Sequence, residues 1–183
     1  MPRIIAGDFR GRRLATPSDG TRPTSDRVRE AVASMLGSRM DVADTRVLDL
    51  YAGTGALALE ILSRGAGSAV LVEADRTAAG VARANIATCG AGGRARVVHR
   101  TVSAFLAAPG EQYDLVFLDP PYDLSTEDVS AVLADLRDHL ADDGWVVLER
   151  AVRSDAPRWP DGLDEVAEKV YGDTRVTLAQ YAR

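Results

Sequence analysis

From residue 46 onward the chain repeats a two-part pattern: short, continuous apolar runs, then stretches whose apolar positions recur at helical spacing. Such runs predict strands buried on both faces, and the stretches between them predict covering helices. Strand Arg46–Leu50 leads to helix Ala56–Ser63, and strand 69–72 leads to helix Arg76–Thr88. Strand 96–99 is followed by a short helix at 103–107. The apolar run Tyr113–Leu118, with its strand at 115–118, precedes a helix over 126–140 that stops before Asp143-Gly144. A further strand covers 145–149. Segments 164–171 and 175–181 alternate apolar and polar residues around Gly172-Asp173, a hairpin signal.

Ahead of this alternation, residues 3–16 predict two short strands around a Gly- and Arg-rich turn, and 17–23 a loop. Ser25 can cap a helix from Asp26 to about residue 36, with Val28, Val32, Met35 and Leu36 on one face. The expected fold is α/β and Rossmann-like: a doubly wound, mostly parallel seven-stranded sheet with an antiparallel last strand, plus an N-terminal β-hairpin. Residues 1–24 are then a basic arm and 25–183 the Rossmann-like domain. No internal repeat or low-complexity segment interrupts the pattern.

Composition narrows the class. At 183 residues, 46% hydrophobic and 27% charged, the chain fits one globular domain with a sizeable core. It has no apolar run long enough to span a membrane and no signal-peptide pattern at its start, so a cytoplasmic location is expected. Cys89 is the only cysteine, and His99 and His139 lack ligand-like neighbours, so neither a disulfide nor a metal site is expected. The net charge of −5 hides an asymmetry. Residues 1–29 hold seven arginines against three aspartates, so the remainder is strongly acidic. A basic arm on an acidic body suits phosphate contacts; a solvated hairpin would look the same.

The most specific motif is Asp119-Pro120-Pro121-Tyr122, directly after an apolar strand. An exocyclic amine on an aromatic ring is a poor nucleophile because its lone pair is delocalised. A carboxylate and a backbone carbonyl that accept its two N–H groups hold the nitrogen nearer tetrahedral, with its lone pair aimed at an electrophile. Prolines stiffen such a loop and donate no N–H, and Tyr122 offers a flat face for a base lifted from its stack. An ordinary proline turn is the competing reading. The motif resembles the active-site loop of S-adenosylmethionine-dependent amino-methyltransferases, which makes Asp119, Pro120 and Tyr122 the catalytic candidates.

A cofactor site is readable at the other strand ends. Asp49-Leu50-Tyr51-Ala52-Gly53-Thr54-Gly55 puts glycines between a strand and a helix, where backbone can approach a ligand. The same start occurs in nicotinamide-nucleotide sites, but Ala58 stands where their third glycine belongs. Asp49 either meets a methionine ammonium, as in methyltransferases of this fold, or caps the next helix. Glu73, beside Ala74 after strand two, is placed for a ribose diol. Thr101 and Val102, after strand three, are candidates for the adenine edge, although relatives commonly place an acid or amide there. Asp119 can also face the methionine end.

The wider pattern is more selective still. Arg3-Ile-Ile-Ala-Gly7, Arg10-Gly-Arg-Arg-Leu14 and Arg22-Pro-Thr-Ser-Asp26-Arg-Val-Arg-Glu30 precede these motifs, and Lys169-Val-Tyr-Gly172 follows them. Together they resemble the RsmD family of bacterial 16S rRNA guanine-N2 methyltransferases across essentially the whole chain. The resemblance implies a class I methyltransferase fold, S-adenosyl-L-methionine as cofactor, and a monomer acting on one guanine of 16S rRNA in a partly assembled 30S particle. Arg3, Arg10, Arg12, Arg13, Arg22 and Arg27 become candidate RNA contacts, whereas Arg29 and Glu30 could equally form an internal ion pair. Rival readings are a DNA adenine or protein glutamine methyltransferase, a non-catalytic RNA-binding protein, and a nicotinamide-dependent dehydrogenase.

Overall fold

The computed structural model describes residues 1–18 and 24–182. In chain order the elements are α1 (Asp26–Gly37), β1 (Arg46–Leu50), α2 (Ala56–Ser63), β2 (Ser68–Glu73), α3 (Arg76–Thr88), β3 (Ala95–His99) and α4 (Val102–Leu106). Then follow β4 (Tyr113–Leu118), α5 (Thr126–Leu136), β5 (Leu140–Ala151), β6 (Leu163–Tyr171) and β7 (Thr174–Tyr181). They build a seven-stranded sheet ordered β3-β2-β1-β4-β5-β7-β6. The first five strands in that order are parallel, and β7 runs antiparallel between β5 and β6. This is the expected doubly wound sheet. Its order reverses between β1 and β4, where such sheets open a crevice at the strand C-termini.

Strand periodicity divides the core in two. Val47, Leu71, Leu115, Phe117 and Val147 point to one face, under α1, α2 and α3; Leu48, Leu50, Val116, Leu118 and Leu148 point to the other, under α4 and α5. Side-chain caps from Ser25, Asp75, Thr101 and Ser125 each satisfy a first-turn N–H and fix where α1, α3, α4 and α5 begin. Several expected boundaries shift by a residue or two, and the largest change is between α5 and β5, where the strand expected at 145–149 spans 140–151. The helix over 126–140 ends at Leu136, a 3-10 turn covers Arg137–His139, and Leu140 already pairs with Tyr113 in β5. The apolar period alone could not separate those last residues. His139 is buried there, its Nε2 3.0 Å from the Leu106 carbonyl oxygen.

The N-terminal hairpin differs from expectation more instructively. Only Arg3 and Arg13 form a β-bridge, so residues 3–16 are not two strands. Backbone bonds still join the two arms, from Ile4 N to the Arg12 carbonyl (3.0 Å), Gly11 N to the Ile4 carbonyl (2.8 Å) and Leu14 N to the Pro2 carbonyl (2.8 Å), and other backbone groups turn to helix side chains. The Glu60 carboxylate accepts from Ile5 N (2.9 Å) and Ala6 N (3.2 Å), and Ser63 Oγ accepts from Phe9 N (2.9 Å). Asn85 clamps Ala15 by accepting from its N (2.7 Å) and donating to its O (3.1 Å). Gly7 takes φ +84°, and a Cβ there would lie 1.8 Å from the Ser63 carbonyl oxygen, so only glycine permits this approach. Ile4, Phe9 and Leu14 join the α1–α3 core.

Arg29 is wholly buried and binds this segment from α1, donating to the Arg3 carbonyl (2.8 Å), to Glu60 (3.3 Å) and to Asp26. Glu30 pairs with Arg64 at 3.0 Å, so both residues enter ion pairs, though not with each other. Removing one member of such a buried set strands the others. Glu60→Ala is expected to cost about 3–5 kcal/mol in urea unfolding and to release the Ile5 and Ala6 amides to fast hydrogen exchange. A loss below about 1 kcal/mol would show that the segment is held by its apolar side chains alone.

Candidate functional site

The cleft opens where β1 and β4 separate. The exit of β1 forms its floor: Tyr51, Gly53 and Gly55 all have positive φ (59°, 56° and 81°), which folds the chain back before α2. Gly55 is required by space as well, since a Cβ there would lie 2.6 Å from Leu71 Cδ2. A Cβ on Gly53 would meet nothing, so its backbone borders open space. Gly53 N donates to Glu73 Oε2 (2.7 Å), and Asp75 N donates to Glu73 Oε1 (2.8 Å). The carboxylate that ends β2 thus braces the loop that ends β1.

Asp49, Tyr51, Gly53 and Leu57 line the cleft with Thr24 and Asp119, around an enclosed space of about 70 Å³. That holds an amino-acid head group; a nucleoside would extend beyond it along the open groove towards Glu73. A wider hollow of about 510 Å³ at residues 37–42 has no buried charge and carries no chemistry.

Asp49 is buried, its Oδ2 accepting from Ala58 N at 3.3 Å. It therefore does brace the first turn of α2, whose N-cap Gly55 has no side chain to do so. Burial, then the nearby Asp119 charge, pushes its carboxyl up to about 8, against the pull of the Ala58 N–H. Asp119 sits directly after β4, half-buried, with its Oδ2 accepting from the Thr24 hydroxyl at 3.1 Å. Burial lifts it to about 6, and the Thr24 hydrogen bond opposes the rise. Pro120 is buried, whereas Tyr122 is 69% exposed, with its ring free to receive a partner.

The other sequence candidates lie around this centre. Ala74 follows β2, its carbonyl 3.0 Å from His99 Nε2. Thr101 caps α4 by accepting from Ala104 N (3.2 Å), and the Val102 side chain is buried in the lower core, so neither side chain borders the cleft. Arg3, Arg10, Arg12, Arg13 and Arg27 are all exposed; Arg22 lies outside the described residues. Arg12 also has a structural task, since its Nη1 donates to the Thr88 carbonyl (3.0 Å) and its guanidinium lies 5.5 Å from the Phe9 ring centroid.

Sequence reasoning missed Glu149, whose carboxyl is buried near Asp49 and Asp119. The signal was present: like Asp49 after Val47-Leu48, Glu149 is an acid directly after an apolar run, Trp145–Leu148. It also missed that Thr24 bonds Asp119, a contact across 95 residues that no local pattern carries.

The family described as Conserved hypothetical protein 95 matches residues 2–180. This chain belongs to that family. Ribosomal RNA small subunit methyltransferase D of Escherichia coli (strain K12) is 40% identical over 179 residues, 97% of this chain and 89% of that protein. The RsmD-family resemblance read from the sequence therefore holds along nearly the whole chain. A solved structure of the Escherichia coli protein yhhF superposes with a TM-score of 0.88 at 37% identity, covering 99% of this chain and 98% of that one. Magnesium protoporphyrin IX methyltransferase from Synechocystis PCC 6803, solved with bound SAM, gives 0.68 at 16% identity, covering 85% and 79%, and so shares the fold alone.

The cleft fits the methionine end of S-adenosylmethionine: an acid faces a small enclosed space, beside glycine backbone with room above it. A cationic ammonium beside Asp49 favours its ionised form. At pH 7, below the raised value of about 8, binding should therefore release close to one proton. Calorimetric enthalpies measured in phosphate and in Tris are expected to differ accordingly, and to converge in Asp49→Asn. A buffer-independent enthalpy in the unaltered protein would count against a cation at Asp49.

Proposed function

We propose that this protein transfers a methyl group from S-adenosylmethionine to the exocyclic N2 amine of one guanine in small-subunit (16S) rRNA. One observation carries the reading: a half-buried carboxylate opens on a cleft that holds an amino-acid head group, and an exposed aromatic ring stands three residues further along the same proline-stiffened loop. The small-subunit rRNA named for the 40% identical Escherichia coli relative supports the choice of substrate.

When bound, S-adenosylmethionine supplies an electrophilic sulfonium methyl group. Asp49 would neutralise its ammonium, and the Glu73 carboxylate would receive the ribose diol with the lone pairs left after Gly53 and Asp75. Val102 would offer backbone, not side chain, to the adenine edge. The guanine would leave its stack and rest on Tyr122. Asp119, its Oδ2 engaged by Thr24, would accept one N–H of the amine, and the Pro120 carbonyl the other. Held so, the nitrogen points its lone pair along the methyl–sulfur axis, and the rate gain comes from orientation. As the methyl–sulfur bond broke, S-adenosylhomocysteine would be the leaving group, and the methylated, cationic nitrogen would then give its extra proton to water at the open cleft.

The described residues build one sheet with its covering helices and no separate RNA-reading unit among them. Recognition would rest on the shape of a partly assembled 30S particle, met by a monomer in the cytoplasm, with phosphates held by Arg3, Arg10, Arg13, Arg27 and the neighbouring Arg22 and Arg12.

Methyl transfer should be detected on 30S particles and mapped to a single N2-methylguanosine, with little on naked rRNA and none on duplex DNA. Activity confined to duplex DNA would overturn the assignment. Asp119→Ala should lower turnover roughly 100-fold or more while cofactor affinity changes little, because the amine loses its orientation. Unaltered turnover in that variant would remove the gripping role. Arg10→Ala with Arg13→Ala, which spares the anchoring Arg12, should weaken RNA binding and flatten its log–log salt slope by about 1–2. A slope equal to that of the unaltered protein would make those arginines solvated bystanders.

A further inference from the structure

Glu149 has no part in the reaction described so far. It follows Leu148 at the end of the buried run of β5, and Leu148 pairs with Leu118 in β4. Glu149 therefore stands beside Asp119, one step further along neighbouring parallel strands. Alternation turns both towards the face of Phe117 and Val147, and Asp49, paired with Phe117, points the same way. Glu149 is 6% exposed, and its enclosed Oε1 has no hydrogen-bond partner among the described residues. Neighbouring cations are engaged elsewhere: Arg150 donates to the Leu124 carbonyl (3.0 Å), and Arg175 to the Ser154 and Val152 carbonyls (3.2 and 3.0 Å). Nor do the described residues gather three carboxyls in an arrangement that would hold a metal ion. An ionised Glu149 would be a bare charge facing two others. A protonated Glu149 has one O–H to give, and Asp119 is the acceptor beside it.

We propose that Glu149 is a positioning residue that, in its neutral form, donates its carboxyl O–H to Asp119 from the sheet side while Thr24 donates from the α1 side. The two donors fix the Asp119 carboxylate and leave its remaining lone pairs to the guanine amine. No proton moves in this role; the O–H stays on Glu149 throughout. Its charge state agrees, since burial and the neighbouring Asp119 and Asp49 hold its carboxyl well above the ordinary carboxylate range. The catalytic sense of the contact rests on the proposed methyl transfer, but the contact itself does not.

Carbon-13 NMR of carboxyl-labelled aspartate reads Asp119 directly, its resonance identified by loss in Asp119→Asn. The midpoint should lie at about 6 in the unaltered protein. Glu149→Gln keeps a donor and should stay near it; Glu149→Leu and the similarly sized Glu149→Met should raise it by about one unit. At pH 7 both apolar variants should lose roughly ten-fold in kcat with KM for S-adenosylmethionine unchanged, and Glu149→Gln should recover most of the loss. A midpoint unmoved in the apolar variants would overturn the proposal, and a lowered one would show a charged, repelling Glu149. The titration needs no turnover. Failure of guanine methylation would therefore sink the proposed function and leave the Glu149–Asp119 contact to be judged separately.

Discussion

Backbone pairing among β1, β4 and β5 decides where their terminal side chains go. Because the three strands are parallel and in register, Asp49, Asp119 and Glu149 emerge on one face at the same edge of the sheet. Asp49 and Glu149 are buried, Asp119 is half-buried, and Asp49 and Asp119 line the cleft. Burial raises all three carboxyls, and neighbouring charge adds to the rise at Asp49 and Glu149: Asp119 goes to about 6, Asp49 to about 8, and Glu149 well above the ordinary carboxylate range. The cleft is thereby an acceptor-rich, charge-hungry place before anything binds. Its position follows from topology, since it lies where the strand order reverses.

The N-terminal segment matters to this edge through α1. Buried Glu60, Ser63, Asn85 and Arg29 satisfy backbone groups that the bonds between its own two arms leave over. The same Arg29 links the segment to the first turn of α1 through Asp26, and the residue just before the α1 cap, Thr24, reaches Asp119. A mechanical line thus runs from the arginine-rich surface to the reacting carboxylate. In the proposed reaction, pressure of RNA on the arm and orientation of Asp119 would share that line.

How far the chain could be read in advance depends on whether a feature was local. β1, α2 and α3 were placed residue for residue, because each is a simple periodic run bounded by a cap or glycine. The candidate residues of the β1 and β4 exits were also readable, since acids and glycines there break an apolar run. What escaped were satisfactions made across the fold. Glu60 and Ser63 lie inside the apolar helix ALALEILS, and nothing within ten residues says that their partners are Ile5, Ala6 and Phe9. Two strands were expected over 3–16 because alternation shows that backbone is extended, not what it bonds. Glu149 escaped for a different reason: its meaning comes from the neighbours that register supplies.

A cleft rich in acceptors also limits what can enter it. Carboxyl oxygens and the Pro120 carbonyl reward donors and cations and repel phosphates, so an RNA strand cannot thread through the site backbone first. A single base presenting N–H groups can enter, and so can an ammonium; the cofactor and the guanine amine share that property. Adenine carries an exocyclic amine too, and nothing in the carboxylate geometry distinguishes the two purines. Discrimination must therefore come before the base reaches Asp119, at the exposed Tyr122 face and at the arginine-rich rim. In the proposed reaction, the shape of the surrounding RNA would decide there which nucleotide is free to leave its stack. Chemistry at the sheet edge selects for an amine, and the substrate's own architecture selects which one.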